Sequence, residues 1–220
     1  MRPPLKMVDR ETLESWERRY RGNFVNSLSG FKSLNLCGTV NDAGQTNLSV
    51  ISSVVHLGAH PPLMGMIVRP DTVPRHTLSN LEATGYYTFN HLTEEMVRQG
   101  HQSAANYPEN DSEFEATGLT PVYDPNFKAP YVEESQIRIG LAFRERHNLS
   151  INGTILIIGE IQQVWFPETC HAADGYLDIQ AAGTVTVAGL DAYHSTNKLA
   201  RFSYAKPDKE LTEIPGFIHP

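Results

Sequence analysis

Gly44-Gln45-Thr46-Asn47-Leu48-Ser49-Val50-Ile51-Ser52-Ser53-Val54 is the stretch on which the fold turns. A turn signal, Asn41-Asp42-Ala43-Gly44, precedes it, and Val50, Ile51, Val54 and Val55 favour extended backbone, so the stretch predicts a strand. Small polar residues (Asn47, Ser49, Ser52 and Ser53) stand between the apolar ones, where a strand buried on both faces would carry bulk. Two readings fit. The strand lines a ligand cleft, where small side chains admit another body and hydroxyls offer hydrogen bonds, or it turns its serines to solvent.

Working outward, residues 31–40 predict a second strand, in which Lys32, Ser33 and Asn35 are polar groups able to serve a ligand; a solvated lysine is the alternative for Lys32. Residues 9–20 predict a helix capped by Asp9, with Glu11 and Glu14 at its positive end and Arg18, Arg19 and Arg21 at the other. Gly22 or Asn23 weakens it there. Residues 1–27 are read as a helical extension of one domain spanning 1–220.

On the other side, Pro61-Pro62 ends a strand and stiffens a loop, and residues 63–68 read as a short buried strand. A helix then starts with Pro74 at its first position, which places Arg75, His76 and Thr77 in the first turn. Free N–H groups, a guanidinium and a hydroxyl there suit phosphate; an ordinary surface helix start is the alternative. Residues 86–92, with Asn90, predict a strand, 94–106 a helix, 112–117 a short helix ended by Gly118, and 119–130 a loop. Residues 135–143 and 153–165 predict an antiparallel hairpin, 171–175 a loop and 184–187 a short strand. Strands with short helices between them indicate a mainly β fold, a barrel with peripheral helices.

Composition narrows the function. A net charge of −7 argues against nucleic acid and anionic membrane surfaces, and no apolar run reaches the ~20 residues of a bilayer span. Two cysteines and an N-terminus without a secretion signal predict a cytoplasmic location. There is no Gly-x-Gly-x-x-Gly, Walker loop or Gly-x-Ser-x-Gly elbow. The nine histidines sit at no metal-ligand spacing, so no metal is expected.

Taken in order, Ser27-Leu28-Ser29-Gly30-Phe31-Lys32-Ser33, Gly44-x-x-Asn47 running into Ser52-Ser53, Pro61-Pro62, Arg75-His76-Thr77 with Asn80, and Tyr87-Thr88-Phe89-Asn90 resemble the flavin reductase-like family. These are the FMN-binding split barrels, and Gly189-Leu190-Asp191-Ala192-Tyr193 and Tyr204-Ala205-Lys206-Pro207 are similar to its flavoredoxin-like branch. The resemblance implies a six-stranded antiparallel Greek-key split barrel and a homodimer with FMN near the subunit interface. It implies that Asn47, Leu48, Ser49, Val50, Ile51, Ser52 and Ser53 line the flavin, and that Arg75 and Thr77, with His76 beside them, take the phosphate. Lys32, Ser33, Asn35 and Asn90 are further cofactor candidates. It also implies an oxidoreductase fed by NAD(P)H, passing electrons to flavin or another acceptor; a flavoredoxin-type carrier fed by a redox partner protein is the alternative, and a flavin-binding barrel without turnover the third. One departure bears on the donor. Many relatives carry Gly-Asp-His before the Gly-Glu-Val-like strand, and here Gly153-Thr154 stand in place of Asp-His ahead of Gly159-Glu160-Ile161. His91, His101 and Tyr107 are substitutes for holding a nicotinamide, and residues 94–106 and 119–130 are candidate lids.

Overall fold

Asp9 starts the first helix, its carboxylate accepting the Thr12 N–H at 2.8 Å. In the computed structural model, which describes residues 3–70, 75–108 and 111–214, that helix is short. α1 (Arg10–Ser15) stops at Trp16, and α2 (Arg18–Ser27) begins afresh because the Glu17 carboxylate takes the N–H groups of Arg19 and Tyr20. The helix predicted over 9–20 is thus two, and Gly22 and Asn23 lie inside the second.

Strands β1 (Lys32–Ser33) and β2 (Asn35–Val40) divide the first predicted strand, and β3 (Thr46–Ile51) and β4 (Val54–Ala59) divide the second. β5 (Pro62–Val68), α3 (His76–Thr84) and β6 (Tyr86–His91) follow. A 3-10 turn at Glu94–Met96 leads into α4 (Val97–Gln102), then α5 (Glu113–Thr117), which Gly118 ends as expected at φ 73°. After β7 (Pro121–Val122) and β8 (Tyr131–Val132) comes the long hairpin of β9 (Arg138–Asn148) and β10 (Ile155–Trp165), then β11 (Thr186–Ala188) and β12 (Ala192–His194). β9 runs five residues past its predicted end, because the charged run Arg144-Glu145-Arg146 still pairs with β10.

Seven of these strands form one antiparallel sheet in the order β3-β2-β6-β9-β10-β5-β4. Its outermost strands, β3 and β4, are joined by Ser52 and Ser53 alone. In a flat sheet they would stand about 29 Å apart, whereas three Cα steps reach about 11 Å. The sheet therefore has to curl into a barrel, split between β3 and β4. Seven strands form it, not the six expected, because the Ser52-Ser53 break makes separate strands of β3 and β4.

Alternation along the wall separates two cores. Cys37, Met66, Tyr87, Phe89, Leu141 and Ile157 fill the barrel, while Leu36, Leu48, Leu92, Met96 and Phe114 face outward under α4 and α5. Close approaches fix two glycines: a Cβ on Gly159 would lie 2.1 Å from Tyr87 Oη, and one on Gly38 would lie 2.4 Å from the Pro130 carbonyl oxygen. Residues 119–130 are pinned rather than free to act as a lid. Phe127, Ala129 and Tyr131 make a third small core, and Thr88 Oγ1 donates to the Pro130 carbonyl at 2.6 Å. Among the described residues no helix is long and apolar enough to cross a membrane.

Candidate functional site

β3 presents its side chains alternately to two different environments, and this sorts the predicted site residues. Leu48 and Val50 turn outward into the second core, while Ile51 packs on the barrel core. Asn47 and Ser49 share the inward face with Ile51, and both reach the start of α3: Asn47 Nδ2 donates to Thr77 Oγ1 at 2.9 Å, and Ser49 Oγ stands 2.9 Å from the same oxygen.

The helix itself starts later than predicted. Arg75 is the N-cap and His76 the first helical residue; Pro74 lies outside the described residues. Among the described residues no side chain caps α3, so in that set the N–H groups of His76, Thr77 and Leu78 keep their hydrogen-bonding capacity and the positive end of the helix dipole. The half-buried Arg75 guanidinium rests on the Pro70 carbonyl through Nε and Nη2, both at 3.4 Å, the outer limit of a hydrogen bond. A Cβ on Gly153 would lie 3.6 Å from the Pro70 side chain, so the tip of the β9–β10 hairpin borders this end of the barrel. His76 also lines a pocket of about 30 Å³ with Asn47, Asn80, Asp111 and Glu113. Its two carboxylates repel an anion, which leaves the Arg75 side as the one suited to phosphate.

A second group forms at the other end of β2. Asn35 is fully buried; its Nδ2 donates to Ser33 Oγ at 3.0 Å, and its Oδ1 has no partner among the described residues. Asn35 pairs across the sheet with Ile51 on one side and His91 on the other. His91 Nδ1 lies 3.1 Å from Thr184 Oγ1, and burial pushes its pKa down to about 4, so the ring is neutral at neutral pH. Burial also lowers the pKa of the half-buried Lys32. Four residues of β2, about 13 Å, separate this group from Thr39, the cross-strand neighbour of Asn47.

Three predicted residues stand apart from these groups. Asn90 is fully buried with its amide engaged throughout: Nδ2 donates to the Leu36 carbonyl and to Thr88 Oγ1, and Oδ1 accepts the Val132 N–H. It ties β8 to the barrel wall. Ser53 Oγ bridges the carbonyl and the N–H of Ile67, stitching the split to β5. Leu48 offers no free backbone donor, because its N–H is taken by the buried Glu113 carboxylate at 2.9 Å. Ser52 is half-buried beside the split. The suggested nicotinamide holders are dispersed: His101 pairs with Tyr193 Oη at 2.7 Å and Tyr107 with Gln102, both on the surface. Residues 94–106 are largely the 3-10 turn and α4, anchored by buried Met96. The sequence reading missed Glu113 and the contact of Asn80 Nδ2 with Thr39 Oγ1 at 3.2 Å; period-two counting from Asn35 does place Thr39 on the inner face.

A larger cavity of about 570 Å³ lies elsewhere, between the Glu94–Met96 turn and residues 167–170 and 181–183. Glu95, Gln99, Glu134 and Gln136 line it, and no Lys, Arg or His does, so its chemistry is wrong for a phosphate. Among the described residues no group of three or more His, Cys, Asp or Glu could hold a metal ion.

Comparison with known proteins agrees with this architecture. Residues 31–189 match the family model described as the flavin reductase like domain. A provisional flavin reductase with a split barrel domain from Shewanella frigidimarina superposes with a TM-score of 0.88 at 50% identity, over 91% of this chain and 100% of that one. The flavoredoxin of Desulfovibrio vulgaris gives 0.66 at 25% identity, over 81% and 92%. Component B of the nitrilotriacetate monooxygenase from Bacillus cereus gives 0.79 at 18% identity, over 91% and 100%, a likeness of fold. An uncharacterised protein of Halalkalibacterium halodurans is 33% identical over 103 residues, which span 46% of this chain and 49% of that protein, about half its length. The split barrel, its open strand edge beside α3 and the match across most of the chain lead to one assignment: the protein belongs to the flavin reductase like domain family.

Proposed function

We propose that the protein binds FMN non-covalently as a homodimer and works as an oxidoreductase, drawing electrons from NAD(P)H and passing them to flavin or another acceptor. The observation that carries this reading is the start of α3, which no side chain among the described residues caps and where Arg75, Thr77, Asn47 and Ser49 converge. An uncapped helix start with a weakly engaged guanidinium suits a phosphate monoester. Asn35 Oδ1, unpartnered among the described residues and at the other end of the same strand pair, is an acceptor suited to a polar ring edge.

On this reading Arg75 and the α3 amides hold the phosphate, and Thr77 is kept in position by Asn47 and Ser49. Small side chains at Ser49 and Ser52 leave room beside the backbone. Bound flavin would supply hydride acceptance at N5, while the chain supplies placement and exclusion of water. A second reading, an electron carrier fed by a partner protein, is favoured by Gly153-Thr154 in place of Asp-His. Here those residues build the hairpin turn, with Gly153 at φ 74° and Thr154 bonded to Asn152.

Anaerobic stopped flow at the flavin's long-wavelength band decides between them, with dithionite as positive control. Bleaching by NADH or NADPH within turnover time is expected. Bleaching by dithionite alone, even against millimolar nicotinamide, moves the assignment to the carrier. A purified protein that takes up no FMN overturns both.

A further inference from the structure

We infer that α2 is a docking arm for a second copy of this chain, laid against the outer wall formed by β4, β5 and β10. The inference rests on the homodimer reading above. α1 and α2 bury no residue on their own barrel. A ten-residue helix is marginal in water unless something packs on its apolar face. α2 has such a face. Tyr20 and Phe24 stand four residues apart on it, and both meet Trp16, the residue that ends α1, edge to face with ring centroids 4.9 and 5.1 Å away. Leu28, 65% exposed, and the exposed Phe31 continue the stripe. The arm touches its own body at its root, where Phe31 stacks on His194 and Ser27 lies against Gly189.

The barrel carries a matching surface. A sheet whose inner face fills a core should be polar outside, yet β4 and β5 expose Val55, Leu57 and Ile67. Cross-strand register sets Leu156 of β10 beside Ile67, and Ile158 beside Gly65. A Cβ on Gly65 would meet Leu57 and Leu156 side chains at 3.0 and 3.2 Å, so these residues close over it as one patch.

Charge and area both identify the occupant. Residues 1–31 hold six Lys or Arg against four Asp or Glu, and the rest of the chain holds twelve against twenty-one. A basic arm therefore meets an acidic body. Tyr20, Phe24, Leu28 and Phe31 offer on the order of 400 Å² per arm; two reciprocal arm-to-wall contacts bury on the order of 1,600 Å², the size of a specific interface. A two-fold dimer forms both contacts at once.

The test is sedimentation velocity on the full chain and two variants, Phe24→Asp/Leu28→Asp in the arm and Val55→Asp/Ile67→Asp on the wall. Every substituted side chain is exposed, and circular dichroism checks that the barrel is retained. A dimeric parent is expected, with the dimer dissociation constant raised at least about 100-fold in both variants. A dimer broken by the wall variant but untouched by the arm variant overturns the arm while leaving the homodimer standing, as does a dimer indifferent to both. A monomeric parent overturns the homodimer reading itself.

Discussion

Replacing Arg75 by Ala tests the phosphate end of the site. In the protein without ligand this guanidinium makes two 3.4 Å contacts to one carbonyl, Pro70 O. Contacts that long contribute little, so the fold should lose no more than about 0.5 kcal/mol, the usual scale for a surface change. With a phosphate in place the same group makes a charge-assisted hydrogen bond, worth about 2–3 kcal/mol. The expected result is an FMN dissociation constant raised about 30- to 150-fold. Riboflavin, which lacks the phosphate, should bind poorly to the parent and shift less than about twofold on substitution, because its ring and ribityl chain never reach Arg75. Quenching of flavin fluorescence measures both ligands in one format, and the thermal midpoint monitors the fold. Equal losses for FMN and riboflavin would mean that Arg75 shapes the site rather than binding phosphate. Unchanged FMN affinity would remove the phosphate from this helix start.

Two further outcomes follow from the barrel interior. Tyr87 Oη is buried without a partner among the described residues, and a Cβ built on Gly159 would lie 2.1 Å from it. Tyr87→Phe should be near neutral, Gly159→Ala should cost about 1–3 kcal/mol, and the two should be markedly non-additive in urea unfolding; additive losses would refute the contact. His91 gives a pH signature. Burial depresses its folded-state pKa from 6.5 to about 4, so the unfolded chain binds the extra proton. Its contribution is complete above pH 6.5 and is lost as pH falls towards 4, up to about 3 kcal/mol. Comparing parent and His91→Asn should show that much less acid sensitivity in the variant between those values, and parallel curves would refute it.

The sequence shows the strands clearly and their breaks poorly, for a physical reason. Alternation of side chains is local, so residues 31–40, 44–54 and 86–92 read directly as extended chain. The break at Ser52-Ser53 belongs to closure of the barrel, and no local preference encodes it: Ser53 leaves the strand to bond the backbone of Ile67, fourteen residues away. The two halves of α1–α2 were hidden similarly, because Glu17 reads as a good helix interior residue and serves here as a cap. The same limit divides the site residues. The helix start at Arg75, His76 and Thr77 was legible because a helix start carries its own local signals. Asn90 was ambiguous because a polar strand residue can serve a ligand or a crossing chain, and the crossing chain, at Val132, lies 42 residues on.

Gly153-Thr154 completes that argument. Read as a string, the pair marks a lost Asp-His. In the fold, Gly153 takes a left-handed conformation that a histidine or aspartate adopts only at a cost, and Thr154 spends its hydroxyl and its N–H on Asn152. The turn is committed to its own geometry, so restoring the pair as Gly153→Asp/Thr154→His should strain the hairpin rather than rebuild a nicotinamide contact. On the nicotinamide-fed reading, the group that holds the ring would come from another element. Of the three residues considered, His91 alone sits on the barrel wall beside Asn35 and Ile51, while His101 and Tyr107 belong to the surface around α4.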